Sequence, residues 1–424
     1  MNKRTPPLGM APLLAATLCA PLLGAPTRPP QPAISAPAEV PADDAPVFDP
    51  AAVARARAEF GAEVKAHPGD AQAHNRLGLA CAAGGDLAGA AREFQESLRL
   101  APNDAVVHYN LGIAYAKSGR PRDAVQEFRA ALRLKPDDPE THYNLGLALD
   151  GTGHDREAIA EYQTALRLNP RDARADNNLG VDLDAAGRHG EAVRAFRAAL
   201  RLRPARPDLH RKLGDALAAQ GLAAEALDEY RECVRLRPLD SEAHTALGIA
   251  LGHAGRQEEA LAEFRAAVRL DPKDSVAHYN LGTLLDREGR RAEADGEFRA
   301  AIRLDPTDAD PHFNLAQSLG DQSRYAQAVA EYRAGLRLRP SDSRAHGNLG
   351  FLLALLGQDG GAEAEFREAA RLKPDDWRAH SGLGMMLYQA GHRQEGRREW
   401  QAIAAKGDPD SARDAKETLE QFPP

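Results

Sequence analysis

The stretch HYNLG stands at His108–Gly112, again at His142–Gly146 and a third time at His278–Gly282. The first two copies begin 34 residues apart, and the third begins four times 34 residues after the second. Such a ruler means one structural unit copied without a slipped residue. Outward from HYNLG the same step governs the prolines, which fall at 34-residue intervals from Pro68 to Pro374. With that proline as position 32, ten units run from 71–104 to 377–410. Position 7 is Leu in all ten, from Leu77 to Leu383. Position 8 is Gly except at Ala316, position 20 is Ala except at Gly396, and position 24 is aromatic from Phe94 to Trp400.

Positions 4, 7, 8 and 11 share the i, i+3, i+4, i+7 spacing of one helix face, and positions 20, 24, 27 and 28 give a second. Each unit is therefore predicted to be a helix A followed by a helix B. Gly at position 15, from Gly85 to Gly391 with Ser323 the exception, suits a left-handed cap ending helix A. Asp at position 34, as in Asp104, Asp138, Asp172 and Asp240, suits the N-cap of the next helix A. Small residues at 8 and 20 let paired helices approach closely, and the aromatic at 24 is expected to fill the gap between neighbouring pairs.

This pattern resembles the tetratricopeptide repeat family, over 340 of the 424 residues. The resemblance implies an all-α fold, a right-handed superhelical solenoid of helix–turn–helix repeats. It also implies a concave groove lined by positions 2, 5, 6, 9, 12 and 13 of helix A. One departure recurs: position 4, often Trp in the family, is His in nine repeats and Asp176 in the fourth.

The flanks read differently. Residues 1–25 place Lys3 and Arg4 before an apolar run, the order of a signal peptide or hydrophobic leader, which points to export into a bacterial periplasm or cell envelope. Residues 26–50 are rich in Pro and Ala, as in a disordered linker. Residues 51–70 carry Phe60 in phase and read as an N-terminal capping half-repeat, while 411–424 reads as a polar terminal helix and tail. The net charge of −8 argues against nucleic acid, which needs concentrated positive surface. Cys81 and Cys233 fall on core-facing positions more than four repeats apart, too distant for a disulfide.

For chemistry, the nine position-4 histidines come first, but each stands a repeat from the next, whereas a metal needs converging ligands. No nucleotide-binding, metalloprotease, serine-hydrolase or redox motif is present. Neither a catalytic residue, a cofactor nor a small-molecule substrate is assigned. The groove positions carry more. Position 6 is Asn at Asn110, Asn144, Asn178, Asn280, Asn314 and Asn348, preceded by Tyr109, Tyr143, Tyr279 and Phe313 in four of those repeats. An amide both donates and accepts, so a file of them can grip an extended peptide backbone. The file resembles the asparagine ladder of protein O-linked N-acetylglucosamine transferases, here without a catalytic domain. Arg211 and Lys212 interrupt it with a basic step. On helix B, Arg occupies position 29 in nine repeats, from Arg99 to Arg371, with Glu at 23 and Asp at 34 as expected partners. The reading is a protein-interaction scaffold that holds an extended partner segment in the groove. A structural role in an envelope export complex through the convex face is the alternative, and the repeat half of a glycosyltransferase the third.

Overall fold

The computed structural model describes residues 49–423, so the leader and most of the linker lie outside the described residues. Among the described residues there are twenty-two helices and no strand. They fall into two compact units, 49–238 and 239–423. The first holds a lone helix, Pro50–Ala66, and five helix pairs from Ala71–Ala83 with Leu87–Leu100 to Pro207–Ala219 with Ala223–Leu236. The second holds five pairs, from Ser241–His253 with Gln257–Leu270 to Trp377–Gln389 with Arg393–Lys406, and a terminal helix, Pro409–Gln421. Each unit is a solenoid of stacked pairs.

The repeat positions explain the pairing. Ala at position 20 is fully or almost fully buried, as in Ala90, Ala124, Ala260 and Ala328. Gly at position 8 is forced by its own repeat's aromatic. A Cβ on Gly112 would lie 2.6 Å from the Phe128 ring, and one on Gly146 2.6 Å from the Tyr162 ring. The aromatic at 24 therefore fills the hollow left by the glycine of its own helix A, not only a gap between neighbouring pairs. Repeat ten shows the compensation: the larger Trp400 coincides with Gly396 in place of Ala, where a Cβ would sit 2.4 Å from the Gly384 carbonyl. The glycines at position 15 take positive φ, for example 74° at Gly153, and Ser323 accepts the same region at 60°. Asp caps form as expected, with Asp104 Oδ1 accepting from the Val106 and Val107 amides, while Arg206 provides no side-chain cap.

Both ends of the array differ from its middle. The first helix buries no residue fully and is tied to repeat one by an Arg57–Asp86 bond of 2.8 Å. The terminal helix, read from sequence as polar, is amphipathic. Its Ala415 and Leu419 pack with Phe422 against Trp400 and Ile403. Cys81 and Cys233 are buried and unpaired with each other.

Candidate functional site

The histidines are built into polar clips. His Nδ1 meets the position-23 glutamate of helix B at 2.5–2.7 Å in all nine histidine repeats, from His74–Glu93 to His380–Glu399. In repeats one, two, three, five, seven, nine and ten, Nε2 also meets the carbonyl of the preceding repeat's proline at 2.8–3.3 Å. A carboxylate and a carbonyl both accept, so the two bonds form together only when the ring carries both protons. The bonds to glutamate raise His278 and His346 above the usual histidine range, against a smaller opposing effect of burial. Repeat four loses both partners at once: Asp176 replaces His and Ala195 replaces Glu. Burial pushes Asp176 up to about 6 against the pull of Arg201.

This corrects the partner expected for the arginine row. Glutamate at 23 is taken by histidine, so Arg99, Arg235 and Arg371 pair instead with Glu96, Glu232 and Glu368 in their own last turns. At position 25, Arg129, Arg197 and Arg265 reach a glutamate of the next repeat, as in Arg129–Glu157 at 2.5 Å, whereas Arg231, Arg299 and Arg367 pair within their own helices.

The asparagine file also does more local work than its spacing suggests. Asn144 Nδ2 donates to the Tyr109 hydroxyl at 3.2 Å, Asn178 to Tyr143 at 3.5 Å and Asn314 to Tyr279 at 3.2 Å. Each bond joins one helix A to the helix A before it. Asn110 donates to Asn75 at 3.4 Å in the same manner, and Asn348 donates to Tyr332 at 3.0 Å. Tyr143, Asn178, Tyr279 and Asn280 are buried, with Asn280 wholly inaccessible. The position-5 rings lean on the position-24 ring of their own repeat, with centroids 5.9 Å apart for Tyr109–Phe128 and 6.2 Å for Phe313–Tyr332. These side chains therefore have a structural role beside the one expected of them: Tyr143, Asn178 and Tyr279 are buried in bonds between successive helices, while Tyr109, Asn110, Asn144, Phe313 and Asn314 stay half-exposed. Burial is the main reason the hydroxyls of Tyr109, Tyr143 and Tyr279 are each pushed up to about 12.

The basic step is held by local partners. Lys212 Nζ donates to Asn177 Oδ1 at 3.0 Å, and Arg211 lies 3.4 Å from Asp215. Asp215 in turn accepts from the Tyr230 hydroxyl at 2.7 Å. Nearby, Tyr162 donates to Asp150 Oδ2 at 2.5 Å, while Asp150 Oδ1 and Asp182 Oδ2 are buried without a conventional partner. One proton held between the two carboxyls satisfies both atoms. Burial and the neighbouring Asp150 carboxyl push Asp182 up to about 8.

A groove opens within the second unit. A cleft of about 930 Å³ lies among repeats eight to ten and the terminal helix. Part of its lining comes from the positions singled out as groove-facing, Gln317, Gly320 and Asp321, then Gly347, Asn348 and Phe351, then Ser381, Gly382 and Met385, and the terminal helix supplies much of the rest. Here position 5 has no aromatic. Gly347 and Ser381 stand where Tyr279 and Phe313 stand in the two preceding repeats. A Cβ on Gly347 would meet nothing within 4 Å. The small residues at position 5 were the available sequence signal for this cleft, and a search for aromatic and amide residues passes over them.

Among curated proteins none matches the chain. Solved structures do. MamA is 26% identical with a TM-score of 0.39, covering 40% of this chain and 92% of that one. YrrB, described as a TPR protein with an unusual peptide-binding site, is 26% identical with a TM-score of 0.40, covering 47% and 99%. The C-terminal part of a TPR repeat-containing protein from Cytophaga hutchinsonii is 15% identical with a TM-score of 0.50, covering 57% and 98%. A tetratricopeptide repeat model matches seven segments from 109–173 to 360–412, and a second TPR repeat model matches 78–119. With its 34-residue phase, its helix pairs and these matches, the chain belongs to the tetratricopeptide repeat family.

Proposed function

We propose that this protein is a non-catalytic scaffold that holds an extended segment of a partner protein along its concave, first-helix face. The supporting observation is the cleft around Gly347 and Ser381, where position 5 carries no ring to seal the joint and about 930 Å³ stands open. Apolar side chains line part of it, including Phe351 and Met385, and polar groups such as Asn348 and Gln317 converge there, as in sites that bind a chain by both its backbone and its side chains. A photo-cross-linking residue at Phe351 is expected to capture the partner, and one at Arg303 on the opposite helix row is not. Capture from Arg303 alone overturns the reading.

A second reading has its own support. In helix B, Arg133, Arg269, Arg303 and Arg337 are exposed, each followed by a leucine that is 37–42% exposed. That row of charge and apolar surface suits an assembly role through the convex face, within an exported envelope complex if the N-terminal leader acts as read. Charge reversal at Arg303 and Arg337 tests it by asking whether the native complex loses this subunit.

A further inference from the structure

Which partner chemistry does the cleft select? Its lining brings seven carboxylates, Asp321, Asp375, Asp376, Asp408, Asp410, Asp414 and Glu417, against three cations, Arg344, Lys373 and Arg378. Some of the seven are committed. Asp376 and Asp408 cap helices, Asp321 lies 3.3 Å from Arg291, and Asp410 and Asp414 pair with Arg413 at 3.2 and 3.4 Å. Exposed Asp375 and Glu417 have no ion pair among the described residues and stand on different walls, one before helix A of repeat ten and one on the terminal helix. Between these walls the cleft presents Phe351, Trp377 and Met385, none of them fully buried.

Two glycines separate packing from vacancy. A Cβ on Gly382 would strike the Phe366 ring at 2.5 Å, so that glycine is needed for packing. Gly347 meets nothing, yet it stands inside the helix Ser343–Leu355, where glycine costs about 0.5–1 kcal/mol relative to alanine. Packing does not account for it, as it does not for Gly252 or Gly296, but Gly347 is the one of these three that lines the cleft.

We propose that this cleft binds a basic segment of a partner protein, with lysine or arginine side chains meeting the acidic rim and an intervening bulky apolar side chain seated over Phe351 and Met385. The proposal rests on the groove reading above and adds the charge and the place. Opposite potentials steer encounter and suppress wrong partners, so discrimination by charge is the signature to seek.

Trp377 and Trp400 are the two tryptophans of the chain and both belong to this end of the array, so intrinsic emission of the full chain reports on the cleft. The probes are short peptides in which leucines are interspersed with lysines, with glutamates, or with serines. The lysine peptide is expected to give a saturable change that weakens with added salt. Gly347→Leu, which has room for its side chain, should abolish the change while the melting temperature is retained. Asp375→Lys with Glu417→Lys should weaken it roughly tenfold. Equal response to the glutamate peptide, or lysine-peptide binding that survives Gly347→Leu, overturns the proposal. Binding of the serine peptide alone overturns the charge preference and leaves the groove reading standing; no response to any peptide contradicts both.

Discussion

Repeats seven and eight differ from repeats nine and ten in one feature that matters. In the earlier two, position 5 is aromatic, the ring leans on its own position-24 aromatic, and Asn314 reaches the Tyr279 hydroxyl. In the later two, Gly347 and Ser381 leave that place empty and the cleft appears. In these four repeats the helix pair serves as a sealed joint where position 5 carries a ring and as an open seat where it does not. Ala316 adds a transition between them. Where the other repeats carry glycine at position 8, its Cβ coincides with a flatter Phe313–Tyr332 pair, 30° between planes against 51° for Tyr279–Phe298. Tyr332 then accepts from Asn348, beside the cleft.

Identical substitutions should break this comparison most sharply. Gly282→Leu drives a side chain into the Phe298 ring, 2.9 Å from the Cβ position, and should destabilise by about 1–3 kcal/mol or more. Gly347→Leu should be neutral or stabilise by up to about 1 kcal/mol, because it gains helix propensity in open space. Urea unfolding of the full chain measures both, and equal costs would mean that Gly347 is a packing glycine after all.

The next effect is pH dependence. His278 and His346 have raised folded-state values, and so has Asp182. A raised folded value means stability that is complete below the unfolded value and lost as pH rises through the folded one. The melting temperature should therefore fall by several degrees as the pH is taken from about 6 to about 9. His346→Gln and Asp182→Asn should each flatten the slope. A melting temperature that rises over this interval contradicts the clips.

Repeat four allows a smaller, constructive test. Asp176→His with Ala195→Glu installs the missing clip and should add about 1 kcal/mol below pH 6.5, with neither single change sufficient. The smallest effect belongs to the stitches. Tyr279→Phe removes the acceptor of Asn314 and should cost about 1 kcal/mol by urea unfolding without altering peptide binding.

Periodicity made the fold legible, because helix pairs that bury surface only against neighbours must keep strict phase. The glycines at 8 and 15, the core aromatics and most caps fall where the pattern puts them, Arg206 and Ala309 being N-caps without a side-chain bond. The site was less legible. Tyr109 and Asn144, Tyr143 and Asn178, and Tyr279 and Asn314 are each 35 residues apart, one repeat plus one, which is the spacing of a bond between successive helices A. Read as a file along one face, the same residues look free. The joint loss of His and Glu in repeat four was likewise visible in the sequence, but only a pairing hypothesis gives it meaning. The cleft is a place where side chains are missing, and motif reading attends to those that are present.

Hydrogen exchange of the full chain, with and without the lysine–leucine peptide, tests the division between sealed and open repeats most directly. The account predicts new protection in 343–355, 377–389 and 409–421, and none in the stitched helices 105–117 and 139–150. Protection spread evenly along all first helices, or confined to the tyrosine-bearing repeats, would contradict it.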